Sequence, residues 1–379
     1  MATINFEGDA REWNEDAYRR NILRDRERAA RTVFRTAFAP SERHKPETIV
    51  AASSDGSIAC YSLESCICSA AQVRNGVDVL MEEPIAVIEG HKGPVYDLKF
   101  YDDGKEALLF SCGDDGHIRG WKWLDVLNSE VPVAIQGSHL KPVLDLVNPQ
   151  HEGPWSAQSP VPENNAIAIN KQEGCIISAT GDACAYCWDV ETGKRKMVFR
   201  GHSDYLHCVV ARESSNQIIT GSEDGSARIW DCRNGLCTQV INPEKGRKLK
   251  ETSWVSCLAI DASESWLACG TGRDLSVWSL LSCECIFNIE SHTPVQDVSF
   301  DGNQHILAVG SEPILRRYSI NGKALSKIQC APQSAFSVSF HSSGITAVGG
   351  YGGLVDVVSE FGSHLCVFCC RGLDKDKFT

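Results

Sequence analysis

The chain has 379 residues, 42% of them apolar and 23% charged, with a formal net charge of −12. This is the make-up of a soluble globular protein. Its acidic average excludes a body-wide nucleic-acid binder, which is normally basic, but leaves room for a local basic patch. Length alone suggests two or three domains. Eighteen cysteines invite a disulfide framework. Yet Cys112, Cys175, Cys208, Cys257 and Cys269 sit inside apolar, strand-like runs, where a thiol acts as a small hydrophobe, and the chain is long for a stapled mini-domain. The opening MATINFEGDAREWNED carries no apolar stretch of a secretory signal. No run reaches the roughly 18 apolar residues of a membrane span. The expectation is a reduced, intracellular protein without metal or cofactor.

In chain order, Arg11 to Arg31 predicts a helix: it is rich in Arg, Glu and Ala and lacks Gly and Pro. Acids gather early (Glu12, Glu15, Asp16) and bases late (Arg26, Arg28, Arg31), as the helix dipole favours. Trp13, Ala17, Tyr18 and Ile22 form a narrow apolar stripe, suited either to a solvated helix resting on the body or to a partner-docking helix. From Thr32 the period changes to two. TVFRTAFAP, TIVAASSDGS and IACYSL read as strands bounded by turn residues, with Tyr61 closing the third. Residues 65–83 read as an extra loop before the strand PIAVIEG. A second unit starts at Gly90-His91, with PVYDLKF, EALLFSCGDDG and HIRGWKW. A third is expected to start near Gly137-Ser138-His139 with PVLDLV. A Pro/Ser/Asn-rich surface loop holding Trp155 then interrupts it before AIAINK, CIISATGDA and AYCWDV.

The fourth unit is the clearest: GHSDYLHCVV, a polar turn, then IITGSEDGSARIWDCR, from Gly201 to Arg233. Gly-His near the start and Trp-Asp near the end of a repeat of roughly 40–45 residues resemble one four-stranded WD-repeat propeller blade. Three further units follow: SWVSCLAID with SWLACGTG and LSVWSL; TPVQDVSF with HILAVGSEP and ILRRYSI; and AFSVSF with ITAVGGYGG and LVDVVSEF. The fold class is therefore all-β, a seven-bladed WD-repeat β-propeller with a short N-terminal helix. Residues 1–31 form the N-terminal segment, 32–371 the propeller and 372–379 a frayed tail. If HLCVFCC is the outer strand of blade seven, each blade is built from consecutive sequence and the ring closes by packing. The alternative is an outer strand donated by TINF.

Hydroxyl, imidazole and carboxylate recur at one spacing: Ser111, Asp115 and Trp121 with His91, and Thr220, Asp224 and Trp230 with His202. Ser178, Asp182 and Trp188 repeat it without a clear histidine. One such set suggests a hydrolase triad. An active site needs one nucleophile beside one oxyanion hole, so recurrence points to internally satisfied polar networks instead. Cys184/Cys187 and Cys366/Cys369 match CxxC, but residues three apart on a strand face opposite ways, and zinc needs four converging ligands. Lys245, Arg247, Lys248 and Lys250 make one short basic loop, a solvated loop or a minor RNA contact. No aromatic interleaving suggests base stacking.

The run from Ile218 to Arg233 resembles the box of WD-repeat substrate receptors of cullin ubiquitin ligases. That resemblance implies docking of Asp231 and Arg233 on the damaged-DNA-binding adaptor. Blade three reads Trp188-Asp189-Val190-Glu191 and lacks the arginine. The whole chain resembles the subunit 6 family of the THO complex. The likeness lies in GPVYDLKF with LLFSCGDDGHIRGWKW, in FRGHSDYLHCVV with GSEDGSARIWDCR, in WVSCLAID with WLACGTG and LSVWSL, and in VDVVSEFGSHLCVF. It implies a nuclear, non-catalytic scaffold of the THO/TREX assembly, coupling transcription to mRNA processing and export. Its partners would be other THO subunits, the coiled-coil pair among them. The inserts and the charged N-terminal helix depart from the family pattern. Tyr61, Tyr318 and a blade seven without tryptophan leave three blades expected to be looser than blades two to four.

Overall fold

The structure is a computed structural model. It describes residues 14–41, 45–72, 79–80, 82–102, 104, 106–128, 140–152, 157–243, 254–272, 274–291, 293–302 and 305–370. Seven four-stranded antiparallel sheets follow one another, the blades of a propeller, each built from four strands consecutive in sequence. The inner strands are Val33–Phe38, Val95–Asp102, Asn164–Asn170, Leu206–Arg212, Val255–Ile260, Val295–Phe300 and Ala335–Phe340. The second strands Thr48–Ser53 and Cys175–Thr180 are buried along their whole length. Sheets covered on both faces favour near-continuous small apolar runs over alternation, which is why TIVAAS and CIISAT read as they do. Outer strands are wetter; all but one residue of Glu284–Glu290 is exposed. Among the described residues, which include every cysteine, no disulfide forms. Burial pushes the Cys60 and Cys269 thiols up to about 12, so these cysteines are inert packing groups.

Three sequence expectations need correction. PVLDLV does not begin blade three: Leu144–Val147 pairs with His117–Lys122 as the outer strand of blade two. The short helix α3 (Trp123–Leu127) follows that third strand directly. It delays the outer strand, so PVLDLV falls where the repeat leads one to expect an inner one. Asn164–Asn170 is the inner strand of blade three, and the Pro-rich loop joins two blades instead of interrupting one. Residues 65–83 are not simply a loop, because helix α2 (Leu63–Gln72) buries Leu63 and Cys66. The N-terminal helix, α1, runs Glu15–Ala30. Ala17 and Ile22 are half-buried, whereas Tyr18 and Leu23 are exposed. His139, Trp155 and Trp13 lie outside the described residues.

The ring closes between blades seven and one without a shared strand: His364–Cys369 is the fourth strand of its own blade. The seam is held at three radii. Near the axis, Thr36 donates its backbone N–H to Ser337 Oγ (2.9 Å), and Ser339 Oγ donates to the Thr36 carbonyl (2.9 Å). In mid-sheet, Tyr61 and Phe368 pack at 4.6 Å within one apolar cluster shared by both blades. At the outer edge, Leu80 makes a one-residue parallel bridge to Phe368, giving its N–H to Val367 and taking that of Cys369. The TINF alternative lies outside the described residues.

Candidate protein-docking sites

In blade four the tight turn Glu223–Ser226 places Asp224 under His202, with Gly225 at φ 79° supplying the left-handed step. His202 Nδ1 stands 2.8 Å from Asp224 Oδ2, and its Nε2 2.8 Å from Thr220 Oγ1. Trp230 Nε1–H donates to the same hydroxyl oxygen at 2.8 Å. Burial lowers the His202 pKa against the pull of Asp224, so the ring is neutral and carries one proton. With the indole donating to Oγ1, the hydroxyl proton goes to Nε2 and the ring proton on Nδ1 goes to the aspartate. Asp224 also accepts from Ser226 and from the Ser203 N–H. Burial opposes its charge, but these bonds hold the carboxyl down at about 2. Blade two repeats the set: His91 to Asp115 at 2.9 Å and to Ser111 at 2.8 Å, and Trp121 to Ser111 at 3.0 Å. Arg119 Nη1 donates to Asp115 at 2.8 Å. Each histidine lies on the segment arriving from the previous blade, so each network fastens that segment to the next turn.

Blade three does not form the network expected of Ser178, Asp182 and Trp188. Ser178 Oγ and Trp188 Nε1 are buried without a hydrogen-bond partner. Asp182 is taken by the phenol of Tyr186, by Thr180 and by His151 Nε2. Tyr186 pairs with Ser178 across the strands as Arg228 pairs with Thr220 in blade four. The connection from blade two does deliver a histidine, His151, to the Asp182 carboxylate at 2.6 Å, but its side chain is 46% exposed and makes no bond to Ser178, so the serine and the indole stay outside the network. Blade five reaches a third solution: Trp278 Nε1 donates at 2.9 Å to Ser276, two residues earlier on its own strand, because Cys269 stands opposite Ser276 where a hydroxyl would be.

Asp231 and Arg233 come together at the far end of the third strand of blade four. Arg233 grips Asp231 with Nε (2.8 Å) and Nη2 (2.7 Å), and its backbone N–H bonds the same carboxylate at 2.9 Å. The pair holds the Asp231 carboxyl below its usual range and raises Arg233. The Arg233 side chain is 68% exposed and the Asp231 side chain 12%, so a fixed guanidinium stands on the rim. In blade three Lys196 takes Asp189 at 2.8 Å. Cys184 and Cys187 pack into two different clusters on opposite faces of their sheet. Among the described residues no group of His, Cys, Asp and Glu could hold a metal. Lys245, Arg247, Lys248 and Lys250 lie outside the described residues.

One feature escaped the sequence reading. A channel of about 530 Å³ runs along the propeller axis between the inner strands. Arg35 of blade one crosses it, with Nε 2.8 Å from Asp97 of blade two and Nη1 2.6 Å from Asp297 of blade six. Asp97 accepts the Ile167 N–H of blade three at 3.0 Å, and Asp297 the Val338 N–H of blade seven at 2.8 Å. Five blades are thus tied through one guanidinium. Burial works against the Arg35 charge, but Asp297 and then Asp97 overcome it and raise its pKa. Burial pushes Asp297 up, with Arg35 opposing. The available signal was an aspartate at one position of two inner strands, PVYDLKF and PVQDVSF, in a setting where a charge needs a partner.

Three stretches of the chain, residues 82–122, 193–231 and 244–279, match the family model "WD domain, G-beta repeat". The chain is 55% identical to THO complex subunit 6 of Arabidopsis thaliana over 95% of its length and 98% of the relative's. It is 30% identical to the THO complex subunit 6 homolog of Danio rerio over 87% of the chain and 94% of that protein. Its identity to the Homo sapiens protein is 28%, over 83% of the chain and 84% of that protein. With the seven-bladed ring, these likenesses show that the chain belongs to the THO complex subunit 6 family, a family of WD-repeat subunits.

Proposed function

We propose that the chain is a non-catalytic scaffold of the THO/TREX assembly in the nucleus, where transcription is coupled to mRNA processing and export. It would be held there by other THO subunits, the coiled-coil pair among them. Family membership carries the reading. The chemistry of the networks supports it. Thr220 is fully buried and its oxygen already accepts the hydrogen bond of the Trp230 indole N–H, leaving no approach for a substrate carbonyl. The networks of blades two and four then act as fasteners, and Tyr186 takes that part in blade three. Affinity capture of the tagged chain from nuclear extract, followed by mass spectrometry, tests the proposal. Recovery of THO subunits is expected, and their absence would overturn it. His202→Ala and Asp224→Ala are expected to lower that recovery only in proportion to the unfolded fraction.

The exposed Arg233, pinned by its own aspartate, favours a second reading on another part of the surface: docking on the damaged-DNA-binding adaptor of a cullin ligase through a charge-assisted contact. Arg233→Ala is expected to remove adaptor and cullin from the recovered set while THO subunits stay. Unchanged adaptor recovery would sink this second reading alone.

A further inference from the structure

Each of the seven inner strands carries a bulge at the same place, where the pairing register shifts by one residue. The extra residues are Phe34, Tyr96, Asn165, His207, Ser256, Gln296 and Phe336 in blades one to seven. Bulges of this kind re-aim side chains, and here they ring one mouth of the axial channel. That mouth lies on the side of the turns between second and third strands, because Asp114, Glu223 and Tyr351 in those turns donate backbone N–H groups to Pro94, Tyr205 and Ser334, just before the inner strands.

The ring divides into two arcs. Phe336, Phe34 and Tyr96 form a continuous aromatic arc over blades seven, one and two, with Phe34 edge-on to Tyr96 at 5.3 Å and to Phe336 at 5.7 Å. On the other arc, Asn165 and Ser256 are committed to neighbouring blades through the Leu206 and Val295 carbonyls. His207 and Gln296 line the channel. Acids border the join: Asp114 accepts the Tyr96 phenol at 3.2 Å, and Glu223 stands 3.5 Å from His207. Glu163 is close enough to act electrostatically on both Tyr96 and His207. Among the described residues no Lys or Arg pairs with Asp114 or Glu163, and His207 is kept neutral by burial. No bulge residue is a lysine or an arginine. Exposed Tyr205 and Trp254 stand at the heads of the inner strands of blades four and five.

We propose that this mouth docks an extended segment of a partner protein that presents an arginine or lysine beside an apolar side chain. The cation lies over the aromatic arc and against Asp114, Glu163 and Glu223, and the apolar neighbour settles on Phe34 and Phe336. Aromatic faces attract a cation most when water is partly excluded, and half-buried rings at a channel mouth meet that condition. The acids disfavour a nucleic-acid strand. The site is on the opposite face from Arg233, so its failure and that of the adaptor reading are separable.

The test uses the full chain and a fluorescein-labelled nonamer pool with arginine fixed at the centre and Ala, Leu, Ser or Gly elsewhere, read by anisotropy at about 150 mM salt. A pool with central glutamate is the control. The arginine pool is expected to bind and the glutamate pool not. The combined Asp114→Asn, Glu163→Gln and Glu223→Gln variant, which keeps size and hydrogen-bonding capacity, is expected to bind about tenfold more weakly. Phe336→Leu should weaken binding similarly. Glu191→Gln with Asp125→Asn, on the opposite face, should change nothing. Absent binding, equal binding of both pools, or equal weakening by the remote pair would each overturn the proposal. Melting curves establish that the variants fold, and the carboxamide variant decides if Phe336→Leu does not.

Discussion

Blades three and four are neighbours with nearly superimposable sequence patterns, yet one closes its polar network and the other does not. In blade four, Thr220, His202, Asp224 and Trp230 satisfy one another. In blade three, Ser178 and Trp188 are stranded and Asp182 serves Tyr186. The third strands differ opposite the hydroxyl, Tyr186 against Arg228, and the histidines arrive differently: His202 bridges Asp224 to Thr220, whereas His151 reaches Asp182 alone. Four residues at fixed spacing make a network only if the connection from the previous blade places its imidazole between the turn carboxylate and the strand hydroxyl. Blade three carries a second irregularity: Ala183, at φ 63°, occupies the turn position that blade four gives to Gly225.

The largest expected effect is His202→Ala. It leaves a buried carboxylate and hydroxyl without their shared partner, a loss of about 3 kcal/mol by chemical denaturation. A cost under half of that would mean the tetrad is not a fastener.

Acid should separate the two blades. His202 has a folded pKa below 6.5, so the unfolded chain binds its proton first and the contribution fades as pH falls below about 6.5. Asp224 has a depressed folded pKa, so its contribution is full above the unfolded value of 3.8 and is lost as pH falls from there through about 2. Hydrogen exchange followed from pH 7.5 to 5, as an approximate range around the histidine value, should show blade four losing protection earlier than blade three. Parallel loss would contradict the assignment.

Thr220→Val should cost about 2 kcal/mol, because it strands the imidazole and the indole together. Ala183→Gly should stabilise by about 0.5–1 kcal/mol, since glycine takes the left-handed conformation without the Cβ clash. Smallest of all, Ser178→Ala should fall within about 0.5 kcal/mol of zero, because the lost hydroxyl had no partner. If Ser178→Ala costs as much as Thr220→Val, the contrast between the blades collapses.

The ring itself was legible because second and third strands repeat their apolar runs, and because Gly-His and Trp-Asp punctuate them. Spacing along a strand also located Thr220 with Trp230 and Ser111 with Trp121, since each hydroxyl lies two residues along from the tryptophan's cross-strand partner, on the same face and within diagonal reach. Blade three misled for the same reason: register places Ser178 beside Tyr186, and only the path of the preceding loop decides whether an imidazole reaches Ser178 as well as Asp182. PVLDLV misled because an outer strand with one buried face carries the same alternation as an inner strand. The Arg35 ion chain joins residues 262 apart, and no local pattern announces a pairing made across the axis of a closed ring. The reduced protection expected for the blades of Tyr61 and Tyr318 and for blade seven is open to the same exchange measurement.

That ion chain has a consequence for how the protein is made. Arg35 and Asp297 are 262 residues apart, so at about 5–20 residues per second a ribosome delivers the second carboxylate some 13–50 s after the arginine. Until then the guanidinium has Asp97 alone, and the first blade lacks the neighbour that covers its other face. A chain whose blades fold as they emerge would be an open arc, its first blade uncovered on one side until blade seven is made, and translation ending before blade six would leave a charge at its centre half answered.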